Sequence, residues 1–227
     1  MKMRILKTTF GMVGCLLALA VLPARADTIT YSIGLGNSAI SGYTGPYATA
    51  TVNRTDSTHA TITFSALSGG GNQFLFVDGG SVAVNVNATS WTLGAITGTQ
   101  VPSAGFAPLS FSNGGSGNED GFGTFNQKID NFDSFDHAAL TVTFSLTDTS
   151  GSWLTAGDVL AQNGGSTGYY LGAHIAVTSD PALQANGAKA TGFAVDNGIV
   201  PDGGTTIALL GFALVGVGAL RRKITRN

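Results

Sequence analysis

Leu140-Thr141-Val142-Thr143-Phe144-Ser145-Leu146 decides the fold. Apolar residues 140, 142, 144 and 146 alternate strictly with Thr141, Thr143 and Ser145, a period of two that puts one greasy and one polar face on an extended strand. Ala60-Thr61-Ile62-Thr63-Phe64-Ser65-Ala66 repeats the pattern, as does Val82-Ala83-Val84-Asn85-Val86-Asn87. Such alternation marks antiparallel sheet with one wet face. Working outward, further strands are expected at 28–35, 47–53, 73–78, 90–97, 105–111, 122–126, 168–178 and 190–196. Asp78-Gly79-Gly80-Ser81, Asn113-Gly114-Gly115-Ser116 and Asn163-Gly164-Gly165-Ser166 read as turns, because Gly and Asn tolerate positive φ. Their uneven spacing excludes a solenoid or propeller. The fold class that follows is all-β: an antiparallel, jelly-roll-like β-sandwich. One short helix is expected near 153–161, with Thr155 as N-cap and Asp158 in its first turn.

Charge divides the chain into parts. Arg54, Lys128 and Lys189 are the only cations between residues 27 and 199, against twelve acids, so this body carries −9 while the whole chain stands at −2. Such a surface excludes non-specific nucleic-acid binding, which needs clustered cations. The single cysteine, Cys15, lies outside the body, so no disulfide supports it. At this length the body can bury a core without one.

Both ends read as addresses. Residues 1–26 have the form of a signal peptide: Lys2, Arg4 and Lys7, then an uncharged apolar run to Leu22, then the small-x-small cleavage site Ala24-Arg25-Ala26. At the other end, Val200-Pro201-Asp202-Gly203-Gly204 precedes an uncharged stretch at 205–220, followed by Arg221, Arg222 and Lys223. Sixteen helical residues rise about 24 Å, short of a hydrocarbon core of about 30 Å, a gap that snorkelling and thinning close. The expectation is a transmembrane helix at 205–220, with the basic cluster and the 224–227 tail cytoplasmic by the positive-inside rule.

This three-part end resembles the PEP-CTERM sorting signal of Gram-negative bacteria in its VPDSG-like variant, with Gly203 where that variant has serine. The sorting signal spans 200–223. The resemblance implies recognition by an exosortase, cleavage near Pro201-Asp202, and passage of the body from an inner-membrane intermediate to the cell surface or extracellular matrix. Sec machinery and signal peptidase are the partners expected at the front end. The body segments Asp120-Gly121-Phe122-Gly123-Thr124-Phe125-Asn126, Val142-Thr143-Phe144-Ser145-Leu146, Gly172-Ala173-His174-Ile175 and Thr191-Gly192-Phe193-Ala194 are similar to β-rich PEP-CTERM cohort proteins. That likeness implies the fold and adds no catalytic residue.

Catalytic chemistry finds no support in the residue pattern. Gly164-Gly165-Ser166-Thr167-Gly168 matches G-x-S-x-G, but a nucleophile elbow needs strand, turn, then helix, and here the order is reversed. His59, His137 and His174 have no metal spacing, and His174 sits in an apolar strand as a core residue. Glu119, Asp120, Asp130, Asp133 and Asp136 form an oxygen-rich stretch of the kind that binds Ca²⁺, the candidate metal site. Trp91, Trp153, Tyr169 and Tyr170 are candidates for stacking on sugar rings. The reading is therefore an exported, non-catalytic protein with a structural or adhesive role in exopolysaccharide or biofilm. A carbohydrate-binding module, Ca²⁺-dependent in one form, is the alternative, and a glycan-active enzyme ranks behind it.

Overall fold

A computed structural model of the chain describes residues 27–100, 106–131, 136–164, 168–179 and 187–200, with Leu214 alone beyond them. Twelve strands account for most of it: β1 (Asp27–Gly36), β2 (Ala48–Arg54), β3 (His59–Ala66), β4 (Ser68–Gly69), β5 (Asn72–Val77), β6 (Val82–Val84), β7 (Trp91–Gln100), β8 (Phe111–Glu119), β9 (Gly123–Asn131), β10 (Ala138–Asp148), β11 (Leu171–Ser179) and β12 (Ala190–Val200). Every pairing among them is antiparallel.

Residues 141–146 follow the alternation, whereas Leu140, beside a register slip between 139 and 141, turns to the separate cluster of Leu75, Val77, Ala138 and Ala176. Val142, Phe144 and Leu146 are buried, while β10 sets Val142 opposite Phe64, Phe144 opposite Ile62 and Leu146 opposite Ala60 of β3. On the other face, the Thr63 and Thr143 hydroxyls meet at 3.1 Å. β3 continues to β2, β2 to β1, β1 to β12 and β12 to β11. Phe76 of β5 is paired both with Ala139 of β10 and with Ile175 of β11, so the pairings return on themselves around one core. Phe64 lies inside it, stacked on Phe144 at 6.3 Å and edge-on to Phe76 at 6.1 Å.

β5 and β11 are buried on both faces. Their outer faces feed a smaller cluster of Leu75, Val77, Ala138 and Ala176, and Ala83, Phe125 and Val195 of β6, β9 and β12 form a second. The β8–β9 hairpin covers the second. This explains why β11 reads Leu171-Gly172-Ala173-His174-Ile175-Ala176-Val177, a nearly continuous apolar run instead of an alternation.

Three expectations need correction. Asn113-Gly114-Gly115-Ser116 is not a turn. It lies inside β8, where the register slips at 113–115 and again at 115–117, and Gly115 takes φ 62°. These are bulges, which glycine permits. The strand expected at 105–111 begins only at Phe111, after Pro108, which has no N–H for a ladder. The helix near 153–161 is a single 3₁₀ turn, Ala156–Asp158. Its N-cap is as expected: the Thr155 N–H and hydroxyl both donate to Asp158 Oδ2, at 2.8 and 2.9 Å. The turn cannot lengthen because Leu160 bridges to Val86 and the Ala161 N–H donates to the Asn85 carbonyl.

The signal peptide at 1–26 lies outside the described residues, as does the span at 205–220 except for Leu214, which is helical and exposed. No helix among the described residues is long and apolar enough to cross a membrane.

Candidate functional site

One end of the body gathers its polar loops and both points where the terminal segments attach. Asp27 opens β1 opposite Arg54, the last residue of β2. Its Oδ2 accepts the Ala156 N–H at 2.6 Å, which fixes the 3₁₀ turn beside the start of the chain's first strand. The β2–β3 hairpin is closed by Asp56, whose Oδ1 accepts the N–H groups of Thr58 and His59 at 2.8 and 2.9 Å. The Thr58 N–H and the His59 ring hold that exposed carboxyl well below the usual carboxylate range. The Asp148 N–H donates to the Thr58 carbonyl and the Trp153 N–H to the Ser57 carbonyl, tying the loop after β10 to the same end.

This loop forms a groove of about 560 Å³ lined by Asn87, Thr89, Asp148, Ser152, Leu154 and Asp158, among others. Asp148 organises one wall: its Oδ1 accepts the Ser150 N–H at 2.8 Å, the Ser150 hydroxyl at 3.0 Å and the Gly151 N–H at 2.9 Å. Desolvation works against the charge of Asp148, yet these donors hold its carboxyl below its ordinary value. Trp153 is the groove's foundation and not a platform within it. It is 1% exposed, with its Nε1–H donated to the Asn87 carbonyl at 2.9 Å.

At the same end β12 runs out beside β1, and Val200 is paired with Thr30. Ile199 and Val200 are exposed, and Leu154 at 80% is the most exposed large apolar side chain among the described residues.

A second polar centre lies under the β8–β9 hairpin. Glu119 is fully buried, and neither of its oxygens has a hydrogen-bond partner among the described residues. It rests against Gly80, at φ 69°, where a Cβ would strike its Oε1. Burial pushes the Glu119 carboxyl up to about 9, with the Lys128 ammonium pulling it down and the Asp130 carboxylate pushing it up. Asp130 accepts the Gly80 N–H at 2.6 Å and stands 3.9 Å from Lys128.

Of the acids expected to bind Ca²⁺, only Glu119 and Asp130 come together among the described residues, at Gly80. Glu119 lies under Gly80, the carbonyl of Asp120 accepts Asn37 Nδ2 at 3.4 Å, Asp130 is engaged by Gly80, and the carbonyl of Asp136 accepts the Ala107 N–H at 2.8 Å. Asp133 lies outside the described residues. Among the described residues no three His, Cys, Asp or Glu side chains group so as to hold a metal ion. Of the aromatic candidates, Trp153 is excluded from stacking on a sugar by its burial. Trp91 is half-buried and donates Nε1–H to Gln127 Oε1 at 3.1 Å. Tyr169 packs edge-on to Phe122, and Tyr170 lies tilted on Tyr31. His174 is buried between the core-facing Ala173 and Ile175, stacked on Phe193 at 4.3 Å, and burial lowers its basicity. Of the G-x-S-x-G match, 165–167 lie outside the described residues, and its flanks are the 3₁₀ turn before and β11 after. The buried Glu119 went unforeseen: its enclosure comes from residues 80, 128 and 130, and nothing local announces it.

An all-β body whose last strand runs straight into a proline–acid motif, an apolar stretch and a basic cluster defines a class: exported proteins that carry a C-terminal sorting signal. The chain carries a VPDSG-CTERM motif, a PEP-CTERM-like signal of this class, over residues 200–224. The signal marks an exported, membrane-transiting protein sorted by an exosortase-type system. No curated protein and no solved structure matches the chain.

Proposed function

We propose that residues 27–199 are a non-catalytic, all-β cargo body delivered to the Gram-negative cell surface or extracellular matrix, where it has a structural or adhesive role with exopolysaccharide. The observation that carries this reading is the sorting signal at 200–224, continuous with β12. In this reading Sec machinery and signal peptidase remove residues 1–26, and 205–220 halts in the inner membrane with Arg221, Arg222 and Lys223 on its cytoplasmic side. Val200, Pro201, Asp202, Gly203 and Gly204 are then substrate for an exosortase. Pro201→Ala, or removal of 200–227, tests it by cell fractionation. The expected result is a body missing from surface and matrix fractions; unchanged display would count against exosortase handling.

A second reading, carbohydrate binding, draws on the polar groove at Asn87, Asp148 and Asp158 with apolar Leu154 beside it. Retention of the body on extracted exopolysaccharide, abolished by Asp158→Ala, would favour it. Turnover of a glycan panel would instead favour an enzyme.

A further inference from the structure

The two ends of the body's chain leave it side by side. Residue 27 begins β1, and Val200 is paired with Thr30, three residues further along the same strand. At about 3.3 Å per residue and 4.8 Å between strands, Val200 stands roughly 11 Å from residue 27. The apolar stretch at 205–220 begins five residues after Val200. Fully extended, those five steps reach no more than about 18 Å.

Exposed apolar side chains stand beside the start of β1 and where the chain leaves β12. Ile199 (56%) and Val200 (41%) belong to the last two positions of β12. Leu154 (80%) precedes by two residues the Ala156 whose N–H is bound to Asp27. The remaining exposed large apolar residue of the described body, Leu35, sits at the far end of β1, about 26 Å from residue 27 and about 17 Å from Val200 by strand rise and spacing. Soluble surfaces expose single apolar residues routinely. Three at the point where a membrane-halted segment begins, on a tether this short, have an identifiable neighbour.

We propose that this end, carrying Leu154, Ile199 and Val200, is the body's membrane-facing surface, laid against lipid headgroups while residues 205–220 are still attached. The inference rests on the sorting reading above. The same end carries Asp27, Asp56, Asp148 and Asp158 against Arg54. A zwitterionic lipid surface therefore suits it better than an anionic one, which would repel it.

The test uses the full chain with Cys15→Ser, which leaves no native cysteine. Leu154→Cys or Leu35→Cys, both at exposed positions, is labelled with a fluorophore, and the protein is reconstituted into phosphatidylcholine vesicles holding a headgroup spin-labelled lipid. The expected result is quenching at 154 several-fold stronger than at 35. Equal quenching at both positions, or none at 154, overturns the proposal. So does quenching at 154 that arises only when a processing enzyme is added, since the partner is then a protein. Alkaline extraction of the producing cells' membranes separates the two failures. A chain released by alkali sinks the sorting reading and this inference together, whereas a retained chain without quenching at 154 sinks this inference alone.

Discussion

Glu119→Gln isolates the cost of burying a carboxyl that has no hydrogen-bond partner among the described residues. The ordinary glutamate value is 4.5, and under the β8–β9 hairpin the group is pushed up to about 9. Between those limits the folded protein holds a proton that the unfolded chain releases. The stabilising effect of that proton is complete below pH about 4.5 and is lost as pH rises toward 9. The slope is about 1.4 kcal/mol per pH unit, so wild type should lose about 3 kcal/mol through this one group between pH 5.5 and 7.5. The glutamine variant has no proton to lose. Its stability relative to wild type should therefore improve by about 3 kcal/mol over that interval, or roughly 6–12 °C in melting temperature for a body of this size. The other titrating groups are common to both proteins and cancel in the difference. Urea unfolding of residues 27–200 at several pH values, followed by tryptophan fluorescence, measures it. A difference between variant and wild type that does not change with pH would refute the reasoning, because Glu119 would then be charged in the folded state and compensated.

Trp153→Ala removes a side chain buried to 1% whose Nε1–H is satisfied by Asn87. It should cost about 3–5 kcal/mol in urea titrations, whatever it does to glycan retention. Gly98→Ala places a methyl against the Thr141 carbonyl and 2.6 Å from Phe111 Cζ. A loss of about 1–3 kcal/mol is expected by the same titration, and a neutral result would mean that β7 can shift away from β10 and β8.

β3 and β10, whose side chains alternate, were legible to within a residue or two, whereas β9, expected at 122–126, runs on to Asn131, and β6 stops at Val84 although the alternation continues to Asn87. β3 and β10 carry one buried and one wet face, and the period of two follows directly. β8 was not legible, because Asn113-Gly114-Gly115-Ser116-Gly117 offers almost no side chains to alternate. Glycine there does not end the strand; it lets the strand bulge against β9. The capping pair Thr155 and Asp158 was legible, since it is local. The length of the turn was not, since Leu160 and Ala161 are drawn into contact with residues 85 and 86, far away in sequence. The described acids of the 119–136 stretch are spread out for the same reason. Proximity in sequence along a hairpin spreads side chains along the strands, and Glu119 and Asp130 are brought near one another only through Gly80.

The sorting signal was legible because it is read as a string, and its meaning is sharpened by where β12 sits. β12 is no appendage at an edge: it lies between β1 and β11, and the circuit of strands is open without it. The first strand of the body therefore waits for the last. For a chain that crosses a membrane N-terminus first, β12 is complete only when Val200 has emerged, and the apolar stretch at 205–220 follows within a few residues. In the sorting reading proposed above, closure of the fold and arrival of the sorting signal at the membrane are therefore coupled by topology. A body whose last strand lay at an edge could fold most of its core earlier and leave its tail free. Here the residue that begins the signal, Val200, is also the one that completes the pairing with Thr30.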